Sequence, residues 1–168
     1  MEFTFTQKQL INYFVDGQEN RCLEIFLEHG SAGVRSFLGV PFDRDDIWKT
    51  LYDYFIFERN FIFISMNRFQ DFLTRVMAEQ GPLCVRKIFD IEDSRYDDLF
   101  FSVMHYIGVS RTGLFAYVAH NAQRLLNDMN RYGSQSVRQE LHLLDDRYDD
   151  LWRNVLDIVL ECFSREKI

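Results

Sequence analysis

"GPLCVRKIFDIEDSRYDDL", residues 81–99, is rewritten 52 positions later as "GSQSVRQELHLLDDRYDDL", residues 133–151, with nine identities in nineteen positions. The shared residues are Gly81/Gly133, Val85/Val137, Arg86/Arg138, Asp93/Asp145, Arg95/Arg147, Tyr96/Tyr148, Asp97/Asp149, Asp98/Asp150 and Leu99/Leu151. A degenerate copy starts at "HGSAGVR", residues 29–35; it reaches its acid pair, Asp45 and Asp46, one position sooner and lacks the tyrosine. Self-similarity at a fixed period of this size is the mark of a tandem helical array. The expected fold is therefore all-α: three tandem repeats of about 52 residues, forming a short α-solenoid or a compact helical bundle. A single all-helical domain 1–168 is expected, with units at approximately 5–56, 57–108 and 109–160 and a C-terminal extension.

Spacing inside each unit supports helices. Phe69, Phe72, Leu73, Val76 and Met77 fall on one helical face, as do Leu114, Tyr117, Val118, Leu125 and Met129. Asn60 and Thr112 stand one period apart before these runs as N-cap candidates, with Thr6 in that role for the first unit. Gly30, Gly81 and Gly133 are placed to end the long helix in a left-handed residue. A short helix carrying Val-Arg follows, then the acidic phrase, which opens another amphipathic helix. Ser94 or Asp146 is the expected cap there, and Asp97 or Asp149 the acid of a capping box. Trp48, Phe100 and Trp152 recur beneath the phrase, and Arg35, Arg86 and Arg138 are positioned to pair with its acids and clip the short helix to the next. The stretch 52–66, "YDYFIFERNFIFISM", also fits a β-hairpin. Its counterpart one period on is less strand-like, which favours helix, turn, helix.

Composition narrows the function. A formal net charge of −7 gives no basic face to grip nucleic-acid phosphates or anionic lipid, so no direct nucleic-acid partner and no membrane are expected. Cys22, Cys84 and Cys162 lack paired spacing and read as reduced, largely buried thiols. The N-terminus has no signal-peptide pattern, and no run of about twenty apolar residues occurs, so a cytoplasmic setting is expected, in a cell or a host cell. His29, His105, His120 and His142 are scattered, and no metal-ligand, phosphate-loop or nucleophile-elbow motif is present. No metal and no cofactor are expected.

The leading expectation is a non-enzymatic interaction module, an adaptor or inhibitor. Its candidate contact residues are Asp45, Asp46, Asp97, Asp98, Asp149 and Asp150 with Tyr96 and Tyr148, an acidic ridge for another protein with a basic surface. One form would occupy a basic surface by imitating nucleic-acid charge. Self-association through terminal repeats is a further expectation, since end units need covering and "LWRNVLDIVLECF" at the C-terminus is apolar on one face. The alternative class is an all-α metal-dependent enzyme using the clustered aspartates; calorimetry with Mg²⁺, Mn²⁺ and Ca²⁺ separates the two.

Overall fold

The computed structural model describes residues 2–166, and among these there are helices, turns and short loops but no strand. No helix among them is long and apolar enough to cross a membrane. The hairpin-like stretch is helical. Helix α3 in residues 45–53 runs into a π-helical turn, Tyr54–Glu58; Asn60 takes a left-handed conformation, and a helix over Phe61–Arg68 leaves in a new direction. Phe55 and Phe61 stack 4.9 Å apart across this turn. The aromatic density that imitates a strand is the core of a helical corner.

The chain forms two compact units, one up to Phe69 and one from Gln70 onward. The first holds α1 (Phe5–Val15), α2 (Glu19–Leu38), α3 (Asp45–Asp53) and α4 (Phe61–Arg68). Within it α1 packs on α2 and α3, and α2 packs on α4. Cys22, Val34, Leu51, Phe55, Phe61 and Ile62 form its buried centre. The second holds α5 (Gln70–Gln80), α6 (Pro82–Ile88), α7 (Asp97–Val103), α8 (Gly113–His120), α9 (Ala122–Tyr132), α10 (Ser134–Glu140) and α11 (Asp149–Glu166). There α5 lies against α8, and α11 lies against α8 and α9. Leu73, Met77, Met104, Leu114, Leu125 and Val155 are fully enclosed. At about 1.5–3 kcal/mol for each large buried side chain, such burial is the main stabilising contribution. The close approach of α5 and α8 depends on Gly113, where a Cβ would come within 3.0 Å of Met77 Cβ.

Several expected details differ. The long helix is two helices, broken at Phe69 and again at Asn121, where the backbone turns to φ −116° and −112°. Phe69 and Phe72 are consequently exposed, while Leu73, Val76 and Met77 are buried. Asn60 and Thr112 do not cap: both sit at positive φ without a side-chain bond to the helix start. The cap of α1 is Thr4 and not Thr6, in a reciprocal capping box with Gln7. The apolar face of the C-terminal helix is turned inward, with Leu151, Trp152, Val155 and Val159 buried and Leu160 outward.

The three glycines differ from the expected left-handed stop. Gly81 (φ 90°, ψ 179°) and Gly133 (φ 92°, ψ 160°) combine positive φ with extended ψ, a region essentially restricted to glycine. Gly30 does the same at a kink inside α2. The short helix that follows then ends three times in a Schellman motif. Val40, Ile91 and Leu143 N–H donate to the carbonyls of Arg35, Arg86 and Arg138, and the preceding Gly39, Asp90 and His142 close the inner bond. These turn residues all have positive φ.

Candidate functional site

The Schellman turn brings the arginine of each Val-Arg pair beneath the loop that follows it. Arg86 Nε donates to Ile91 O at 2.9 Å, and its Nη2 donates to Asp93 O at 3.1 Å and to Asp97 Oδ1 at 2.9 Å. Arg138 makes the same three bonds, to Leu143 O, Asp145 O and Asp149 Oδ1. Arg35 Nη2 reaches Pro41 O, Phe42 O and Asp45 Oδ1. In each case the guanidinium also lies over the ring three residues beyond that aspartate: Trp48 at 5.9 Å, Phe100 at 4.9 Å and Trp152 at 5.9 Å. The acidic-aromatic phrase is thus the far side of an arginine clasp that ties a short helix, a loop and the next helix together.

The shortened loop of the first copy has a visible cost. With one residue fewer between Arg35 and Asp45, both loop carbonyls fall to Nη2, and Arg35 Nε is buried without a hydrogen-bond partner. Leaving such a donor unmade costs on the order of 1–3 kcal/mol. The first clasp is the weakest of the three on this count.

The two carboxylates of an acid pair have different partners, and in the second and third pairs different exposure. The first, Asp45, Asp97 or Asp149, is bound by its arginine. In the second and third pairs the second acid faces solvent, Asp98 at 90% and Asp150 at 95% side-chain exposure against 56% for Asp97 and Asp149; in the first pair Asp46 at 69% is no more exposed than Asp45 at 74%. The ion pairs of the second acids are surface pairs, Asp46 with Arg44, Asp98 with Arg147 at 2.8 Å, and Asp150 with Arg153 at 3.6 Å. The hydrogen bonds and charge of Arg44 hold the Asp46 carboxyl below the usual carboxylate range. Arg147 joins the acids of different segments, since it also binds Asp145 and lies 4.2 Å from the Phe101 ring centre.

The tyrosines of the phrase are not available to a partner. Tyr96 is 2% exposed and Tyr148 4%, because each closes a short 3-10 turn, Ser94–Tyr96 or Asp146–Tyr148, that rotates it inward. Burial raises the Tyr148 hydroxyl above the ordinary tyrosine range. The caps of these turns are Asp93 and Asp145, whose side chains accept from Arg95 N and Arg147 N, one position before the expected Ser94 and Asp146. Trp48 and Trp152 are likewise buried, whereas Phe5, Phe37 and Phe42 of the first unit are exposed.

Beside the second clasp lies a cavity of about 310 Å³, lined by Arg86, Glu92, Asp97 and Phe100 on one side and by His142 and Asp145 on the other. His142 occupies the left-handed residue of the third Schellman turn, and its ring meets Phe100 edge-on at 6.1 Å. Burial, reinforced by the Arg86 charge, holds the imidazole below the ordinary histidine value of 6.5, opposed by Asp97 and Glu92. Neither Glu92 nor His142 is marked in the sequence as a site residue; the one available signal is that His142 is one period from Asp90.

Because the folded state resists protonating His142, the unfolded chain takes up that proton first as pH falls. Stability is therefore complete above about pH 6.5 and declines as pH falls from there toward the folded value. His142→Asn, which suits the left-handed turn, is expected to flatten this dependence; urea midpoints at pH 7.5 and 5.5 check it. Equal slopes for both proteins would show that another group is responsible.

Among the described residues no three of His, Cys, Asp and Glu come together in a way that could hold a metal ion. Cys22 is buried and its thiol is pushed up to about 11 by burial, then by Glu19, which makes it a poor nucleophile. Cys84 and Cys162 are partly exposed, less buried than expected, and Cys84 Sγ lies 3.2 Å from Gln80 Oε1. Comparison with known proteins finds no family model, no curated protein and no solved structure that matches this chain.

Proposed function

We propose that this chain is a non-enzymatic protein-interaction module, an adaptor or inhibitor, built from three tandem copies of one helical unit. Each copy uses its first aspartate for the arginine clasp and leaves its second for a basic partner surface. The observation that carries this reading is the division within the second and third pairs, one carboxylate bound by a shielded arginine and half in solvent, the other almost fully in solvent. Exposed ion pairs contribute little, so the single contacts of Asp98 with Arg147 and of Asp150 with Arg153 are readily exchanged for a partner's cations. The net charge of −7 adds long-range attraction for such a partner. The setting that suits three free cysteines is a reducing one, the cytoplasm of a cell or host.

The ridge in this reading is narrower than six aspartates and two tyrosines. It comprises Asp46, Asp98 and Asp150, the acids whose removal leaves the clasps intact. The triple variant Asp46→Asn, Asp98→Asn, Asp150→Asn is expected to bind a nona-arginine peptide roughly tenfold more weakly, with circular dichroism unchanged. Fluorescence anisotropy at constant ionic strength measures this. Unaltered affinity would mean that these carboxylates do not form the contact.

A further inference from the structure

In the first copy of the phrase the aromatic residue has changed sides. Counted back from the acid pair, Pro41–Arg44, Asp93–Tyr96 and Asp145–Tyr148 are the same turn, each closed by a bond from its last N–H to its first carbonyl, at 3.1, 3.0 and 2.9 Å. The second and third turns end in a buried tyrosine and carry a small polar residue, Ser94 or Asp146, at their second position. The first ends in exposed Arg44 and carries Phe42 at that position, 95% exposed. The Phe42 ring adds nothing to the core, yet its backbone is held: Arg35 Nη2 donates to the carbonyls of Pro41 and Phe42 at 2.9 and 3.3 Å. A large apolar side chain fixed at a turn corner in water is a preorganised anchor, since filling a pocket with it requires little further ordering of the loop.

The charges beside it select the pocket. Arg44 is engaged with both oxygens of Asp46, and Asp45 with Arg35. Asp43, exposed and next to Phe42 in the chain, takes part in neither arrangement. A carboxylate at the base of the anchor repels an anionic lipid surface and favours a cation at the mouth of whatever receives the ring.

We propose that Phe42 anchors the partner contact by inserting into an apolar pocket of another protein, with a lysine or arginine at the pocket mouth beside Asp43. This rests on the interaction-module reading and gives it an apolar anchor apart from Asp46, Asp98 and Asp150.

The first arm of the test is NMR titration of the ¹⁵N-labelled full chain with β-cyclodextrin, an apolar cavity, in neutral, aminated and carboxylated forms at constant ionic strength. Saturable shifts at Phe42 are expected, about threefold tighter for the aminated than for the neutral host and weakest for the carboxylated one; Asp43→Asn should erase that difference. Phe42→Ser should abolish the shifts and leave the urea midpoint in place, because the ring is exposed. The second arm is photo-crosslinking of the full chain in the lysate of its source cells with Phe42→p-benzoylphenylalanine, and with the same replacement at Tyr13, 79% exposed, as control. One protein cross-linked from position 42 and not from 13, through an apolar segment bordered by lysine or arginine, is the expected result. Equal cross-linking from both positions, an acidic border, or titration shifts as large at Phe5 and Phe37 overturn the proposal. Cross-links to a second copy of this chain, or Phe42-dependent binding to phosphatidylcholine vesicles, would put a different occupant there and overturn it too. Failure of the ridge itself is read separately, from nona-arginine binding that the triple aspartate variant does not alter.

Discussion

Arg86→Met is expected to destabilise the second unit by about 2–4 kcal/mol, the largest loss from any single charged side chain in the clasps. The substitution keeps the stem but strips two loop carbonyls and Asp97 of their donor, and the Arg86 side chain is only 7% exposed, so water replaces it poorly. The cost stays below that of a fully buried pair because Asp97 remains half in solvent. Arg86→Lys is expected to recover a minor part, since one ammonium cannot serve both carbonyls from the positions of Nε and Nη2. Arg138→Met should follow closely, its side chain being 12% exposed and its bonds equivalent. Arg35→Met should cost least, because that guanidinium already carries an unmade Nε bond and is more exposed. The tryptophans make the comparison practical: Trp48 reports on the first clasp and Trp152 on the third. Urea unfolding followed by fluorescence, in a Trp48→Phe background for the second unit, should give the order Arg86, Arg138, Arg35. A flat order would mean that the loop carbonyls find other donors.

Gly81→Ala is expected to cost about 3 kcal/mol or more, and Gly133→Ala only the conformational part of that, about 1–3 kcal/mol. Both positions hold the same glycine-only backbone, at φ 90° and 92°. They differ in what a methyl group would meet. At Gly81 it would come within 2.9 Å of the Tyr117 ring, whereas at Gly133 nothing lies within 4 Å. Swinging Tyr117 aside would break the bond that its hydroxyl accepts from Arg124 at 3.1 Å. Adding Tyr117→Leu should therefore return part of the Gly81→Ala loss and none of the Gly133→Ala loss. Thermal unfolding of the four variants measures both effects, and equal losses at the two glycines would rule out the steric component.

The helical class was legible because apolar spacing and period agree. Phe55 and Phe61 shift the local composition toward a strand, yet the counterpart stretch one period later does not, and the comparison resolves the ambiguity in favour of a helical corner. What stayed hidden is mostly backbone geometry carried by residues that do not advertise it. The Schellman turn is signalled by glycine at Gly39 alone; the same conformation at Asp90 and His142 has no such marker. The π-helical turns at Tyr54–Glu58 and Met104–Ser110 carry tertiary ties, Tyr54 to Glu19 and Tyr106 to Gln70, whose partners are more than thirty residues away. Tyr96 and Tyr148 sit among acids and read as surface residues, but the 3-10 turn before the helix rotates them into the core. The acid pairs drew attention for the right reason, their recurrence, while the letters Asp-Asp hold no hint that the two members have different partners.

That difference is most directly measured by urea unfolding of Asp97→Asn beside Asp98→Asn, repeated with Asp149→Asn beside Asp150→Asn. Asp97 and Asp149 each receive an Nη2 bond from a shielded arginine, so their loss is expected to cost about 1–2 kcal/mol, while Asp98→Asn and Asp150→Asn leave the midpoint in place. Equal losses within each pair, or a larger loss from the second aspartate, would contradict the assignment of one acid to the clasp and the other to a partner.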